Sequence, residues 1–299
     1  MPKVSVMMPV YNAEKYIAEA VDSILKQSFE DFELVIVNDG STDKSGEVVK
    51  KINDHRIRYY ENERNMGAVY TRNRILELCK GEYLAPMDAD DRAPRERLAT
   101  EVKFLNENMG CDCVHGRTII IDEDGNTIGD YGEALSDARY IKAKLFMCNV
   151  IANGSAMFRK KIVKKYHLYY KTKVIHDYGF WTEFSIYGTI RGIQDVMLFY
   201  RTVPTGLTGK SNQEMRDQIM DEIHNNMIEK YGIKLHSQEK ECYFKATREN
   251  GRITSAEEIK NFYKACQRII EHLKKEKMDF VLEFEKACQK QLKNTVFWT

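Results

Sequence analysis

Four short apolar runs, at residues 4–10, 34–37, 57–60 and 83–87, alternate with stretches whose apolar residues recur at helical spacing. This alternation constrains the fold more than any other property of the chain. Runs this short and continuous predict strands buried on both faces, and helical connections between them predict a parallel sheet covered on each side. The first helical stretch carries Ala13, Tyr16, Ile17, Ala20, Val21, Ile24 and Leu25 on one stripe, with Asn12 placed to cap it. Turn chemistry from Asn38 to Asp43 leads into a second helix, and Asn65-Met66-Gly67 opens a third that runs to Cys79 before Gly81.

Further helices are expected at 94–108, from Ser136 as cap to 148, and at 177–187. Strands are expected at 111–122, 155–159 and 193–201, with a hairpin turn near Asp124-Gly125. These later strands are less regular, so the expected α/β fold has a mixed, mainly parallel sheet. After Pro204 the strand signals stop. Residues 211–231, 238–249 and 255–291 carry helical spacing, with breaks at Gly206, Gly209 and Gly251. The expected division is an α/β domain over 1–205, with halves 1–125 and 126–205, and a helical extension over 206–299.

A net charge of +1 over 299 residues argues against a protein built to bind nucleic acid. The seven cysteines are odd in number and scattered, and Cys111-Asp112-Cys113 has no second pair at zinc spacing. Reduced thiols point to the cytoplasm. The first residues enter a strand directly, no cleavage-site pattern follows, and no window approaches the length of a membrane span. The stripe Ile259, Phe262, Tyr263, Cys266, Ile269, Ile270, Leu273 suits a helix packed on the domain or in a homodimer. With Lys274, Lys275, Lys277 and the ending Val296-Phe297-Trp298, it also suits contact with the inner face of a membrane.

The fourth apolar run delivers Asp88-Ala89-Asp90-Asp91. Carboxylates are seldom buried without a partner, and an oxygen-rich cluster at a strand end suits Mg²⁺ or Mn²⁺. The same residues also fit a solvated acidic turn before a helix. In parallel sheets, however, ligands sit beyond the carboxyl ends of the strands. Tyr11, Asp39 and the 88–91 cluster all follow strand ends, so they are expected to converge. There is no G-x-G-x-x-G after the first strand and no P-loop, which disfavours a dehydrogenase or a P-loop enzyme.

Pro9-Val10-Tyr11-Asn12, Val37-Asn38-Asp39-Gly40-Ser41, Asn65-Met66-Gly67 with Arg72-Asn73, and Gly81-Glu82-Tyr83 running into the acidic cluster resemble, in that order, the family 2 glycosyltransferases. The resemblance implies the GT-A fold, a Rossmann-like sheet of the bacterial type, with residues 1–125 as the nucleotide-sugar half and 126–205 as the acceptor half. It implies inverting transfer of one hexose or N-acetylhexosamine from a nucleotide-diphosphate sugar, usually UDP-linked. The acceptor would be a hydroxyl of a glycan or lipid-linked acceptor in surface polysaccharide or lipopolysaccharide assembly. Such a donor leaves poorly unless a metal neutralises the departing diphosphate. The resemblance assigns Asp90 to that metal, places Asp91 among the nucleotide-sugar-binding residues and as the rival for the metal role, and gives Asp88 to the ribose or to a metal-bound water. Pro9 and Tyr11 belong to the base side, where Tyr11 stacks. Asp39 accepts from the pyrimidine N–H and Arg72 contacts base or phosphate, while Arg74 reads as a solvated charge.

Inversion in one step needs a general base beside the acceptor. His176-Asp177-Tyr178-Gly179-Phe180-Trp181 resembles the family's acidic pair at a helix head followed by Trp. Asp177 is the implied base, and His176 stands where Glu is usual. Asn153 opens a segment that resembles the floor of the acceptor site. Trp181 is either core or a sugar-stacking platform. One departure is Val203, where the family often carries a metal-side His. The Gln-x-x-Arg-Trp signature of processive synthases is also absent, which points to single-sugar addition. The competing readings are a non-catalytic nucleotide-sugar-binding subunit and a sugar nucleotidyltransferase. The latter would want a Gly-rich basic loop after the first strand, which Tyr11-Asn12-Ala13 does not supply.

Overall fold

The computed structural model describes residues 1–203, 212–248 and 250–296, apart from the side chains of 294–296. Gly206 and Gly209, expected as breaks, and Phe297 and Trp298 lie outside the described residues, as does the side chain of Val296. Strand β1 (Val4–Val10) sits between β2 (Phe32–Asn38) and β4 (Tyr83–Pro86), and β3 (Ile57–Glu61) lies outside β2, all four parallel. The eight-stranded sheet has the order β3-β2-β1-β4-β7-β5-β6, with β8 paired to β5. Strand β7 (Ala156–Arg159) runs antiparallel between β4 and β5 (Cys113–Ile121). Strand β6 (Thr127–Asp130) closes a hairpin on β5, and β8 (Ile190–Arg201) runs parallel to β5. The expected α/β sheet, mixed and mainly parallel, is therefore present.

Side chains alternate across a strand, so each strand feeds both faces. Val4, Val6, Met8 and Val10 pack with α1 (Ile17–Leu25) and α4 (Arg97–Glu107). Met7, Val35 and Val37 pack on the other face with α3 (Ala68–Leu78) and α7 (His176–Tyr187). The remaining helices of this part are α2 (Ser45–Lys50), α5 (Ala138–Leu145) and α6 (Lys160–Tyr166). A third core joins α5 to α8 (Gln213–Lys230), α9 (Ser237–Thr247), α10 (Ala256–Lys275) and α11 (Val281–Val296). Phe262, Cys266, Ile269, Ile270 and Leu273 of the amphipathic stripe are buried in it, leaving Tyr263 exposed. This packing uses the apolar face that a membrane-surface helix would need. Among the described residues no helix is long and apolar enough to cross a membrane.

Three local expectations are corrected. Asn12 does not cap α1, which begins only at Ile17. It adopts a positive φ of 49°, and its Oδ1 accepts from Thr42 N at 2.9 Å, tying the loop after β1 to the loop after β2. The cap of α5 is Asp137 rather than Ser136, its carboxylate accepting from the amides of Arg139 and Tyr140. The stretch 255–291 is two helices. Met278 N bonds back to Leu273 O at 2.9 Å around Lys277, whose φ is 54°, and Phe280 drops into the third core. The chain breaks there without Gly or Pro, the signals that sequence reading relies on.

His224 on α8 links the helical layer to α7. Its Nε2 lies 2.7 Å from Tyr178 Oη and its Nδ1 3.1 Å from Thr247 Oγ1. Burial, with Arg248 nearby, pushes its pKa from 6.5 down to about 3. The folded chain thus keeps the imidazole neutral where the unfolded chain takes up a proton. This contribution to stability is full above pH 6.5 and is lost as pH falls from there towards about 3. Urea unfolding of the full chain should show stability falling as pH drops below about 6.5, and His224→Gln should flatten that slope by about 1 kcal/mol per pH unit. An unchanged slope in the variant would exclude His224 as its source.

Candidate active site

The carboxyl ends of β1, β2 and β4 share one edge because the three strands are parallel and in register. Pro9 is half-buried near the end of β1, and Tyr11 just beyond it is 48% exposed, its ring open to solvent. Asp39, just past β2, is buried. Its Oδ1 accepts from Asn62 Nδ2 at 2.6 Å and Met66 N at 2.8 Å, and its Oδ2 from Gly67 N at 2.9 Å. Asp39 therefore pins the start of α3, leaving one lone-pair direction on Oδ2 for a further donor. Gly40 makes this approach feasible: its φ is +64°, and a Cβ there would sit 2.5 Å from the Arg64 carbonyl carbon. Arg74 is not a solvated charge. It is half-buried and donates to Glu61 O and to the Asn62 amide that holds Asp39.

The acidic loop leaves β4 over a buried ion pair. Arg97, with no exposed surface, donates to Pro86 O at 2.9 Å and Ala156 O at 3.2 Å and faces Glu101 at 3.3 Å. The three carboxylates then meet three different surroundings. Asp88 is partly exposed and accepts from Arg72 Nη2 at 2.5 Å. Asp90 is pushed up to about 6, first by burial and then by the charge of Asp88, with Arg201 and Arg72 opposing. Asp91 is only 2% exposed and accepts the Arg201 amide at 2.8 Å. Burial, then Asp90 and Asp88, raise its pKa well above the carboxylate range.

Arg201, closing β8, holds this loop in place. Its Nε donates to Asp90 O at 2.8 Å and its Nη1 to Asp122 O and Glu123 O, while Nη2 pairs with Glu19 at 2.6 Å. Sequence reasoning noted Arg201 only as a strand end. The available signal was a cation at the end of a strand expected to be buried, where an unpaired charge is costly.

The second half brings α7 to the same place. Asp177 carries a raised pKa because of burial, with Arg72 lowering it and Asp88 raising it. His176 is driven down to about 3 by burial and by Arg72, so it is a neutral imidazole, set edge-on to Tyr170 at 5.8 Å. Arg72 lies over the Tyr170 ring at 5.7 Å. Asn153 is buried in the turn Asn153–Ser155 beside the Tyr170 phenol. Asp88, Arg72, His176, Asp177 and Asn153 are thus brought together. Trp181 is not: it is 0% exposed among Phe158, Phe180 and Phe184, so no ring face is available to a sugar. Tyr170 escaped sequence reasoning, since an aromatic after a short basic helix carries no distinctive spacing.

The donor set fits a divalent cation. Oxygen ligands suit Mg²⁺ and Mn²⁺, and a cation at Asp90 would relieve the repulsion that raises its pKa. Among the described residues no three acidic, His or Cys side chains form a ready cage.

A family model described as glycosyl transferase family 2 matches residues 5–167. An uncharacterized glycosyltransferase of Methanocaldococcus jannaschii is 36% identical over 186 residues, covering 60% of this chain and 63% of the relative, so the match spans less than two thirds of that protein. Among solved structures, S. aureus TarS 1-349 superposes with a TM-score of 0.63 at 23% identity, covering 98% of this chain and 89% of that one. TarS 1-349 has also been solved in complex with UDP and with UDP-GlcNAc. Mannosyltransferase PcManGT from Pyrobaculum calidifontis, solved with GDP-Man and Mn²⁺, gives 0.58 at 17% identity, covering 97% and 87%. These likenesses establish the GT-A type of fold.

Arg201→Met should cost about 3–5 kcal/mol in urea unfolding, because it strips donors from a buried loop and leaves its acids uncompensated. Glu19→Gln should cost about 1 kcal/mol or less, since the Glu19 side chain is 43% exposed. Equal losses would mean that the ion pair, not the backbone ties, fastens the loop.

Proposed function

The chain belongs to the family 2 glycosyltransferases, and on that premise we propose that it moves one sugar, with inversion, from a UDP-sugar to a hydroxyl of a glycan or lipid-linked acceptor in surface-glycan assembly. The observation that carries this reading is the electrostatic coupling of Asp177 on α7 to Arg72 and Asp88. A candidate base from the second half faces the candidate donor site of the first.

In this reading Tyr11 stacks on the base and the remaining acceptor position of Asp39 takes a ring N–H. Arg72 has Nε and Nη1 without partners among the described residues, so it keeps donors for phosphate or sugar oxygens while Nη2 stays on Asp88. Asp177 removes the proton from the acceptor hydroxyl as that oxygen bonds to the anomeric carbon. The bond from that carbon to the diphosphate breaks, and the nucleoside diphosphate leaves with the electron pair. Burial raises the basicity of Asp177, which suits it to that transfer. Asp90, with help from Asp88, would hold a divalent ion, which would supply charge neutralisation of the diphosphate. The complexes of TarS with UDP and UDP-GlcNAc support the UDP preference, and the complex of PcManGT with GDP-Man and Mn²⁺ supports the metal.

UDP-GlcNAc with Mn²⁺ should raise the melting temperature of the full chain, as binding to the folded state must. Asp177→Asn should keep that shift and lose sugar release by about 10²–10⁴-fold. Undiminished release would remove Asp177 as the base, and a shift with GDP-sugars alone would overturn the UDP preference.

Mn²⁺ affinity should depend on pH through Asp90. Its raised pKa of about 6 means that the metal must displace a proton below that value, so affinity falls as pH drops through it. Calorimetric titration at pH about 7.5 and about 5.5 should show weaker binding in acid, with proton release at the lower pH. Binding that is equal at both would exclude Asp90 as a ligand.

A further inference from the structure

Asn149 lies in the loop between α5 and the Asn153–Ser155 turn, and its Nδ2 donates to Asp177 Oδ2 at 2.9 Å. The orientation of the amide is fixed independently, because Asn149 Oδ1 accepts from Ile151 N at 3.1 Å. With the carbonyl oxygen committed to that backbone N–H, the amide nitrogen is the end turned to the carboxylate. We infer that Asn149 is a positioning residue for Asp177, holding one carboxylate oxygen so that the other is presented to the acceptor hydroxyl. This rests on Asp177 being the base, as proposed above.

Both ends of the loop are anchored. Phe146 and Met147 are buried in the third core, and Phe146 O accepts from Tyr243 Oη of α9 at 2.8 Å. Ile151 is buried in the second core, against α7. Asn149 itself is exposed, so its replacement removes a directed contact and little packing. The amide also acts on the charge of Asp177, since a donor to a carboxylate favours the ionised form. The other charged or titratable groups that act on Asp177 are Arg72 from α3, Asp88 from the acidic loop and Tyr170 before α7, and His176 precedes it on α7.

Carbon-13 NMR of the Asp side-chain carboxyls in the full chain, titrated without ligand, reads this directly, with Asp177 assigned by its loss in Asp177→Asn. Asn149→Ala should raise the titration midpoint of Asp177 by about one pH unit, and Asn149→Asp by more, through added like charge. A midpoint in Asn149→Ala equal to that of the unaltered chain overturns the inference. Should that variant precipitate, an unchanged midpoint in Asn149→Asp overturns it equally. The base assignment fails separately: retained sugar release in Asp177→Asn removes the base whatever the midpoint, and a lost release with an unmoved midpoint removes only the role of Asn149.

Discussion

Negative charge in a buried loop is the constraint on which the rest of this site depends. Three carboxylates within four residues cannot share a low-dielectric strand end unless positive charge or donors come to them. Arg72 arrives from α3 and Arg201 from the last strand of the sheet. Arg201 reaches the loop because β8 runs parallel to β5 in a register that sets Arg201 opposite Ile121, beside the hairpin whose carbonyls it also binds. The acidic loop, encoded in the first ninety-odd residues, therefore takes its final form only when a strand more than a hundred residues later is in place.

The same dependence runs through α7. Tyr178, next to Asp177, gives its hydroxyl proton to Leu145 O and meets His224 of α8. Leu145 ends α5, the helix shared between the second and third cores. The C-terminal helices thus buttress both the helix that carries the candidate base and the loop that carries Asn149. Aromatic packing of Phe158, Phe180, Trp181 and Phe184 fills the space between α7 and the sheet and leaves the helix little freedom to shift.

Sequence reading recovered what is local or periodic. The apolar runs of β1 to β4 and the stripe of α1 declare themselves by spacing, and the strand-end rule brought Tyr11, Asp39 and the acidic loop to one edge. What escaped it depends on tertiary partners. Trp181 reads equally as core or platform until its neighbours are known. Arg74 looks solvated because nothing in the chain announces that Asn62 will be beside it. The break at Lys277 was invisible because a lysine holds the left-handed position that Gly or Asn usually marks. Arg201 and Asn149 act through single directed hydrogen bonds, which have no period.

Surroundings, rather than sequence, separate the three acids. Asp88 already has a guanidinium at 2.5 Å, so its charge is largely balanced before any ligand arrives. Asp91 is sunk beneath the loop with one oxygen on the Arg201 amide, where it shapes the backbone but offers a ligand little surface. Asp90 lies between them, with its pKa lifted to about 6 by burial and by the Asp88 charge, and with no side-chain cation among the described residues as near as the one Asp88 holds. A divalent ion gains most where negative charge is least compensated and still within reach. That argument favours Asp90 as the metal-side carboxylate in the proposed mechanism, Asp88 as the group shared with Arg72 and the donor, and Asp91 as the residue that fixes the loop for both.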